Sequence, residues 1–166
     1  MILSGLFCAG KTTLGRLLAQ QMRLPFYDSD SMMEVVYRKP IRLLWLEHGE
    51  TVFRHLEHQL VMSLKKKPAI IATGGGTLLF EQNYMHLKKL GEIVYLRTSI
   101  STLWERIQRR GLPAYVDAIN PQTQIEELIK ERIPILERRC DLIFDTEDLS
   151  PNDCIERLIK IFHTKY

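Results

Sequence analysis

The stretch Gly5-Leu6-Phe7-Cys8-Ala9-Gly10-Lys11-Thr12 has two glycines separated by four residues and followed by a lysine and a threonine. This order lets a chain wrap a polyphosphate: the glycines allow the backbone to approach closely and turn its N–H groups inward, where a Cβ would forbid it. Lys11 supplies a mobile positive charge for the β- and γ-phosphates, the Thr12 hydroxyl is suited to ligate Mg²⁺, and Thr13 is next in line for the α-phosphate. Cys8 and Ala9 fill the loop, Cys8 as a small residue whose side chain points away from the phosphates. The chemistry implied is binding of a nucleoside triphosphate. The blander use of such a loop, a plain strand-to-helix turn, does not need all eight positions.

Further along, Asp28-Ser29-Asp30 brings two carboxylates to the end of an apolar run. One can hold Mg²⁺ through water while the other accepts the proton of an attacking hydroxyl; equally, Asp28 or Ser29 can cap the helix that follows. Arg54 and Glu57 lie one helical turn apart, a spacing that suits either a surface ion pair or an arginine oriented to clamp a carboxylate. Gly74-Gly75-Gly76 lets backbone amides approach a ligand, or forms a flexible turn. Arg132, in Glu126-Glu127-Leu128-Ile129-Lys130-Glu131-Arg132, reads on its own as a solvated helix arginine.

The elements that must position these groups alternate in type. Short apolar runs at Met1–Ser4, Leu24–Tyr27, Ala69–Ala72, Ile93–Leu96 and Leu142–Phe144 read as strands, with helix-period segments between them. This is the signature of an α/β fold with a parallel sheet and helices on both faces. Val52, Phe53, Leu56, Leu60, Val61 and Leu64 define one apolar helix face expected to pack on the sheet. A helix from about Ser99 to Arg110 turns Leu103, Trp104 and Ile107 inward and carries Arg106, Arg109 and Arg110 towards its C-terminal end. The last helix has Ser150 as N-cap, Pro151 at its first position and Asp153 in its first turn. Asp28 to Gly49 and Gly111 to Gln122 fit the alternation poorly, and such excursions commonly wall a substrate site or cover it.

With 166 residues, 45% of them hydrophobic, one globular domain is expected. The net charge of +3 suits anionic small molecules without demanding nucleic acid or a membrane surface. Three scattered cysteines fit a reducing cytoplasm, with no spacing that suggests zinc. The N-terminal run reads as a strand and not as a signal peptide, and no apolar run approaches the length of a membrane span.

Taken together, the phosphate loop, Asp28 and Asp30, Gly49-Glu50 with Phe53-Arg54 and Glu57, the Gly74–Gly76 triplet and Arg132 in Glu131-Arg132-Ile133-Pro134 resemble the shikimate kinases, ATP-dependent kinases of the aromatic amino-acid pathway. The resemblance runs over essentially the whole chain. It implies a P-loop NTPase-like, three-layer α/β/α fold with a five-stranded parallel sheet. Residues 1–166 would form a single kinase domain, with a substrate-binding insertion at about 29–58 and a lid at about 109–122. It implies that Asp30, Arg54, Gly74, Gly75, Gly76 and Arg132 bind shikimate, the arginines gripping its carboxylate and Asp30 acting as base at the 3-hydroxyl. ATP would meet Gly5, Cys8, Ala9, Gly10, Lys11, Thr12, Thr13, Arg106 and Arg110, with Arg106 against the adenine, and Thr12 and Asp28 would organise Mg²⁺. The protein would be a cytoplasmic monomer. The family's lid carries an arginine immediately before a proline; here the chain reads Arg109-Arg110-Gly111-Leu112-Pro113-Ala114-Tyr115, which leaves Arg110 as the nearest replacement. Two other uses stay open: a related kinase of another hydroxy acid such as gluconate, and a non-catalytic module that binds ATP.

Overall fold

The computed structural model describes residues 1–116 and 119–165; Asp117 and Ala118 of the expected lid, and Tyr166, lie outside the described residues. Five strands form one sheet: β1 (Ile2–Ser4), β2 (Phe26–Asp28), β3 (Ile70–Ala72), β4 (Ile93–Arg97) and β5 (Leu142–Asp145). All neighbours are parallel, in the order β2-β3-β1-β4-β5. The chain moves out from β1 to β2 on one side, returns through β3, and crosses to β4 on the other. The order therefore reverses at β1, where the carboxyl ends of parallel strands open a ligand crevice.

Successive side chains on each strand face opposite ways, and both faces are apolar because both are covered. Ile2, Ile71, Ile93 and Tyr95 enter one core with Leu87 of α4 (Glu81–Leu90), Leu103 and Ile107 of α5 (Ile100–Arg110), and Ile125, Ile129 and Leu136 of α6 (Pro121–Arg138). Leu3, Ile70, Val94 and Leu96 enter the other with Leu14 and Leu18 of α1 (Lys11–Met22) and Ile155, Leu158 and Phe162 of α7 (Pro151–Lys165). Three layers result, as expected from the alternation.

Serines open two of these helices: Ser150 as the sequence indicates, and Ser99, which lies one residue before its helix. Ser99 Oγ accepts from Thr102 N at 3.2 Å at the start of α5. At the start of α7, Ser150 and Asp153 bond reciprocally: Asp153 N donates to Ser150 Oγ, and Ser150 N donates to the Asp153 carboxylate, both at 3.2 Å. This is a capping box with an aspartate at its third position.

Two expectations need correction. The helix carrying Phe53, Leu60 and Val61 belongs to the longer α3 (Ile41–Ser63), which packs mainly on α2 (Ser29–Tyr37) and α4. Val61 and Leu64, at the C-terminal end of the face, reach the sheet core; Phe53 and Leu60 join Met33 and Leu44 in a separate cluster, with Leu56 packed against it, and Val52 is exposed. The second correction concerns Leu24–Tyr27: β2 starts two residues later, because Phe26, Tyr27 and Asp28 pair with Ile70, Ile71 and Ala72. Within α3, Gly49 has φ 71° and ψ 176°, so two helical stretches meet there at a kink.

Candidate active site

β1 delivers the chain into the loop from Gly5 to Gly10, where the backbone takes conformations that helix and strand do not use. Gly10 has φ 90° and Cys8 φ 59°, both in the left-handed region; the first is a glycine position and the second is held there by its neighbours. Arg106 of α5 donates from NH1 to the Cys8 carbonyl at 3.1 Å, which ties the loop to α5. α1 then begins at Lys11, so its N-terminus faces the loop's concave side. Lys11 Nζ donates to the carbonyls of Gly5 (2.9 Å) and Leu6 (2.7 Å). Burial pushes the Lys11 ammonium down from its usual value, while Asp30 and Asp28 partly offset this.

The carboxyl end of β2 sets the acids. Asp28 caps α2, its Oδ1 accepting from the backbone N–H groups of Asp30 and Ser31 at 3.1 Å each. Its Oδ2 accepts the Thr12 hydroxyl at 2.6 Å. Asp28 is thus the helix cap that the sequence allowed, and the same carboxylate also bonds the phosphate loop through Thr12. Asp30 lies two residues on, in the first turn of α2. Burial raises its pKa to about 6, with Lys11 lowering it and Asp28 and Glu57 raising it. A carboxylate placed this way is ionised at neutral pH yet basic enough to take a proton.

From α3, Arg54 donates through NH1 to Glu57 Oε2 at 3.0 Å, and Glu50 lies 3.5 Å from its Nε. The pair is not a solvated surface one: Glu57 is 1% exposed and its Oε1 accepts the Thr77 hydroxyl at 2.7 Å. The guanidinium also sits 5.2–5.3 Å from the ring centres of Trp45, Phe53 and Phe80. A positive charge bedded on rings and braced by a buried acid is held rigidly.

The glycine triplet after β3 serves a different purpose from a flexible turn. A Cβ on Gly74 would stand 2.8 Å from Asp30 Oδ1 and 3.0 Å from Glu57 Oε1, and one on Gly76 would stand 2.8 Å from Arg54 NH2. A Cβ on Gly75 would likewise stand 3.0 Å from the Phe7 backbone nitrogen. The three positions leave space for the acid, the arginine and the phosphate loop to converge.

Arg132, 7% exposed on α6, is buried and not solvated. Its NH1 lies 3.4 Å from the Tyr115 hydroxyl, and its guanidinium 5.0 Å from the Tyr115 ring centre. Tyr115 comes from the segment between α5 and α6, which starts at Gly111, a C-cap with φ 95°.

A single cavity of about 360 Å³ is lined by Gly10, Lys11, Thr12 and Thr13 on one side and by Asp30, Arg54, Gly74–Gly76 and Arg132 on the other. Arg110 lines it too, as do Leu112, Pro113 and Ala114. Gly5 and Ala9 support the loop from behind, buried in the interior, and Arg106 reaches the loop's outer side. Several residues of this wall were given no role by the sequence, among them Phe7 within the phosphate loop, and Trp45 and Tyr115 in the two stretches that fit the alternation poorly. Arg42, another, donates from NH1 to the Leu112 carbonyl at 2.7 Å.

The cavity thus joins a cationic, amide-rich phosphate cradle to a pocket with a basic carboxylate and two guanidiniums, that of Arg132 buried and that of Arg54 partly so. Such a pair of half-sites suits transfer of a phosphoryl group to a hydroxyl on a molecule that also bears a carboxylate.

Comparison with known proteins agrees with this geometry. The shikimate kinase family profile matches residues 7–163. A shikimate kinase of Thermodesulfovibrio yellowstonii is 34% identical over 161 residues, covering 96% of this chain and 92% of that protein. Among solved structures, a shikimate kinase from Acinetobacter baumannii in complex with shikimate superposes with a TM-score of 0.89 at 28% identity, covering 99% of this chain and 92% of that one. A gluconokinase from Sinorhizobium meliloti shares the fold, with a TM-score of 0.61 at 15% identity over 99% of this chain and 95% of that one.

Proposed function

This chain belongs to the shikimate kinase family, a premise from which we propose how its residues divide the work of moving the γ-phosphoryl of ATP to the 3-hydroxyl of shikimate. The observation that carries the reading is the junction, in one cavity, of the Lys11 loop with Asp30, Arg54 and Arg132.

On the donor side, the loop amides and the N-terminus of α1 receive the phosphates, and Lys11 leaves the Gly5 and Leu6 carbonyls to meet the β- and γ-phosphate oxygens. Thr12 and Asp28 offer two oxygen donors 2.6 Å apart. Among the described residues no group of three or more His, Cys, Asp or Glu is placed to hold a metal ion. A pair of hard oxygens beside a phosphate cradle fits Mg²⁺, which takes few protein ligands and completes its shell with water and phosphate. Thr12 and Asp28 would hold it; when bound, the ion neutralises charge across the phosphates. Arg106 contributes to the nucleotide side from the outer face of the loop, and Arg110 reaches the cavity as the cation for the transferring group.

On the acceptor side, Arg54 and Arg132 grip the carboxylate of shikimate, Asp30 holds the ring hydroxyls and takes the proton from the attacking one, and the glycine triplet gives them room. The insertion at 29–58 builds the acceptor wall and the stretch at 109–122 covers it. All of these residues come from one chain, which supports a monomeric working unit. No helix among the described residues is long and apolar enough to cross a membrane, and use of ATP together with three free cysteines supports a cytoplasmic location.

A coupled assay of ADP release tests the proposal. Turnover is expected with shikimate, ATP and Mg²⁺, to be lost on chelation with EDTA and restored by added Mg²⁺. Turnover of gluconate with none of shikimate would overturn the choice of acceptor, and full activity in EDTA would overturn the role given to Thr12 and Asp28.

A further inference from the structure

The two arginines of the acceptor pocket are joined by a continuous aromatic contact. Arg54 lies 5.3 Å from the ring centre of Trp45; Trp45 meets Tyr115 edge-on at 5.3 Å; Tyr115 lies 5.0 Å from the Arg132 guanidinium. Tyr115 also meets Phe7 of the phosphate loop edge-on at 6.2 Å. Trp45 comes from α3, Arg132 from α6, and Tyr115 from the segment after Gly111, so a residue of the covering segment completes the bed on which both guanidiniums rest.

We propose that Tyr115 is a positioning residue for the acceptor's carboxylate: its ring and hydroxyl hold the Arg132 guanidinium towards the cavity and couple docking of the covering segment to occupation of the arginine pair. The inference rests on the reading that Arg54 and Arg132 bind that carboxylate. A guanidinium has five N–H donors, and one of them pointing at the Tyr115 hydroxyl leaves the others for a planar anion. Stacking on the ring fixes the plane of the fork, which an otherwise flexible side chain would sample freely. Because linkage is reciprocal, whatever favours the docked position of Tyr115 strengthens acceptor binding, and bound acceptor strengthens docking by the same factor. Tyr115 itself stays a neutral phenol, since burial raises its pKa above the ordinary tyrosine value.

The test is a double-mutant cycle on kcat/KM for shikimate, with KM for ATP measured alongside. Tyr115→Ala is expected to raise KM for shikimate by about tenfold and to leave KM for ATP within about twofold. Tyr115→Phe, which keeps the ring, should recover most of that loss. Arg132→Ala alone should weaken the acceptor strongly, and the double variant should be less damaged than the product of the two single effects, because Tyr115 acts through Arg132. Multiplicative losses in the double variant, or a Tyr115→Ala enzyme with unchanged KM for shikimate, would overturn the coupling while leaving the carboxylate reading intact. An Arg132→Ala enzyme with unimpaired shikimate binding would instead remove the carboxylate reading, and this inference with it.

Discussion

Replacing Asp30 by asparagine should make the protein more stable and far less active, and the size of the first effect follows from the burial of the carboxyl. Its pKa rises from 3.8 to about 6 on folding. A carboxyl whose pKa is raised in the folded state stabilises that state fully below its unfolded value and loses the contribution as pH rises through the folded one. At neutral pH the ionised group therefore costs up to about 3 kcal/mol, from roughly two pH units at about 1.4 kcal/mol each. Asparagine mimics the neutral form, so Asp30→Asn should be more stable by about 2–3 kcal/mol at pH 7.5, a rise in melting temperature of about 5 °C or more for a chain of this size. By pH 4 most of that advantage should be gone, because wild-type Asp30 is then protonated when folded. Urea melts of both proteins at the two pH values measure the difference. Loss of the general base should at the same time lower kcat by about 10²–10⁴, and wild-type kcat/KM should fall about tenfold per pH unit below about pH 6. An Asp30→Asn protein no more stable than wild type at pH 7.5, or equally favoured at pH 4, would refute the reasoning that burial strains this carboxylate.

Other outcomes follow from the same contacts. Gly76→Ala puts a Cβ 2.8 Å from Arg54 NH2; the guanidinium is held between three rings and Glu57 and must be forced off them, so the expected result is a KM for shikimate raised about tenfold together with a loss of about 1–3 kcal/mol in stability, read by kinetics and calorimetry together. Gly15→Ala meets the ring of Phe26 at 2.4 Å and Leu3 Cδ1 at 3.2 Å in the core under α1; overpacking should cost about 1–3 kcal/mol in a urea melt, with kcat and both KM values unchanged below the transition. Arg110→Ala should lower kcat at least about 100-fold in single-turnover assays while KM for shikimate stays put, as expected for a cation acting on the transferring phosphoryl.

How far the sequence reveals this protein depends on whether a residue acts through its neighbours in the chain. The phosphate loop is legible because every part of its chemistry lies within eight residues. Asp28 is legible as a cap because its partners, Asp30 N and Ser31 N, are two and three residues away. Arg132 reads as solvated because the residue that shields it, Tyr115, arrives from a segment with no periodicity, and nothing local distinguishes a ring that will lie on a guanidinium from one that will not. The glycine triplet is legible as a close approach, but what approaches, the Asp30, Glu57 and Arg54 side chains, comes from two other elements. α4 is hard to read because its stripe is short: Tyr84, Leu87 and Leu90 face the core, and only Leu87 of them is fully buried. The starting point of β2 is set by pairing with β3 rather than by its own composition, which is why an apolar run misplaces it.

The kink at Gly49 has a consequence for how the acceptor wall can change over time. On one side of it, Glu57 is anchored by Thr77 and braces Arg54; on the other, Arg42 holds the covering segment at Leu112, and Trp45 meets both Tyr115 of that segment and, across the kink, Arg54 and Phe53. A change of angle at this glycine therefore moves the contacts that shut the cavity and the ring that beds the carboxylate clamp together. Selection on product escape is thereby tied to selection on substrate choice, with one residue as the hinge through which the two traits are inherited jointly.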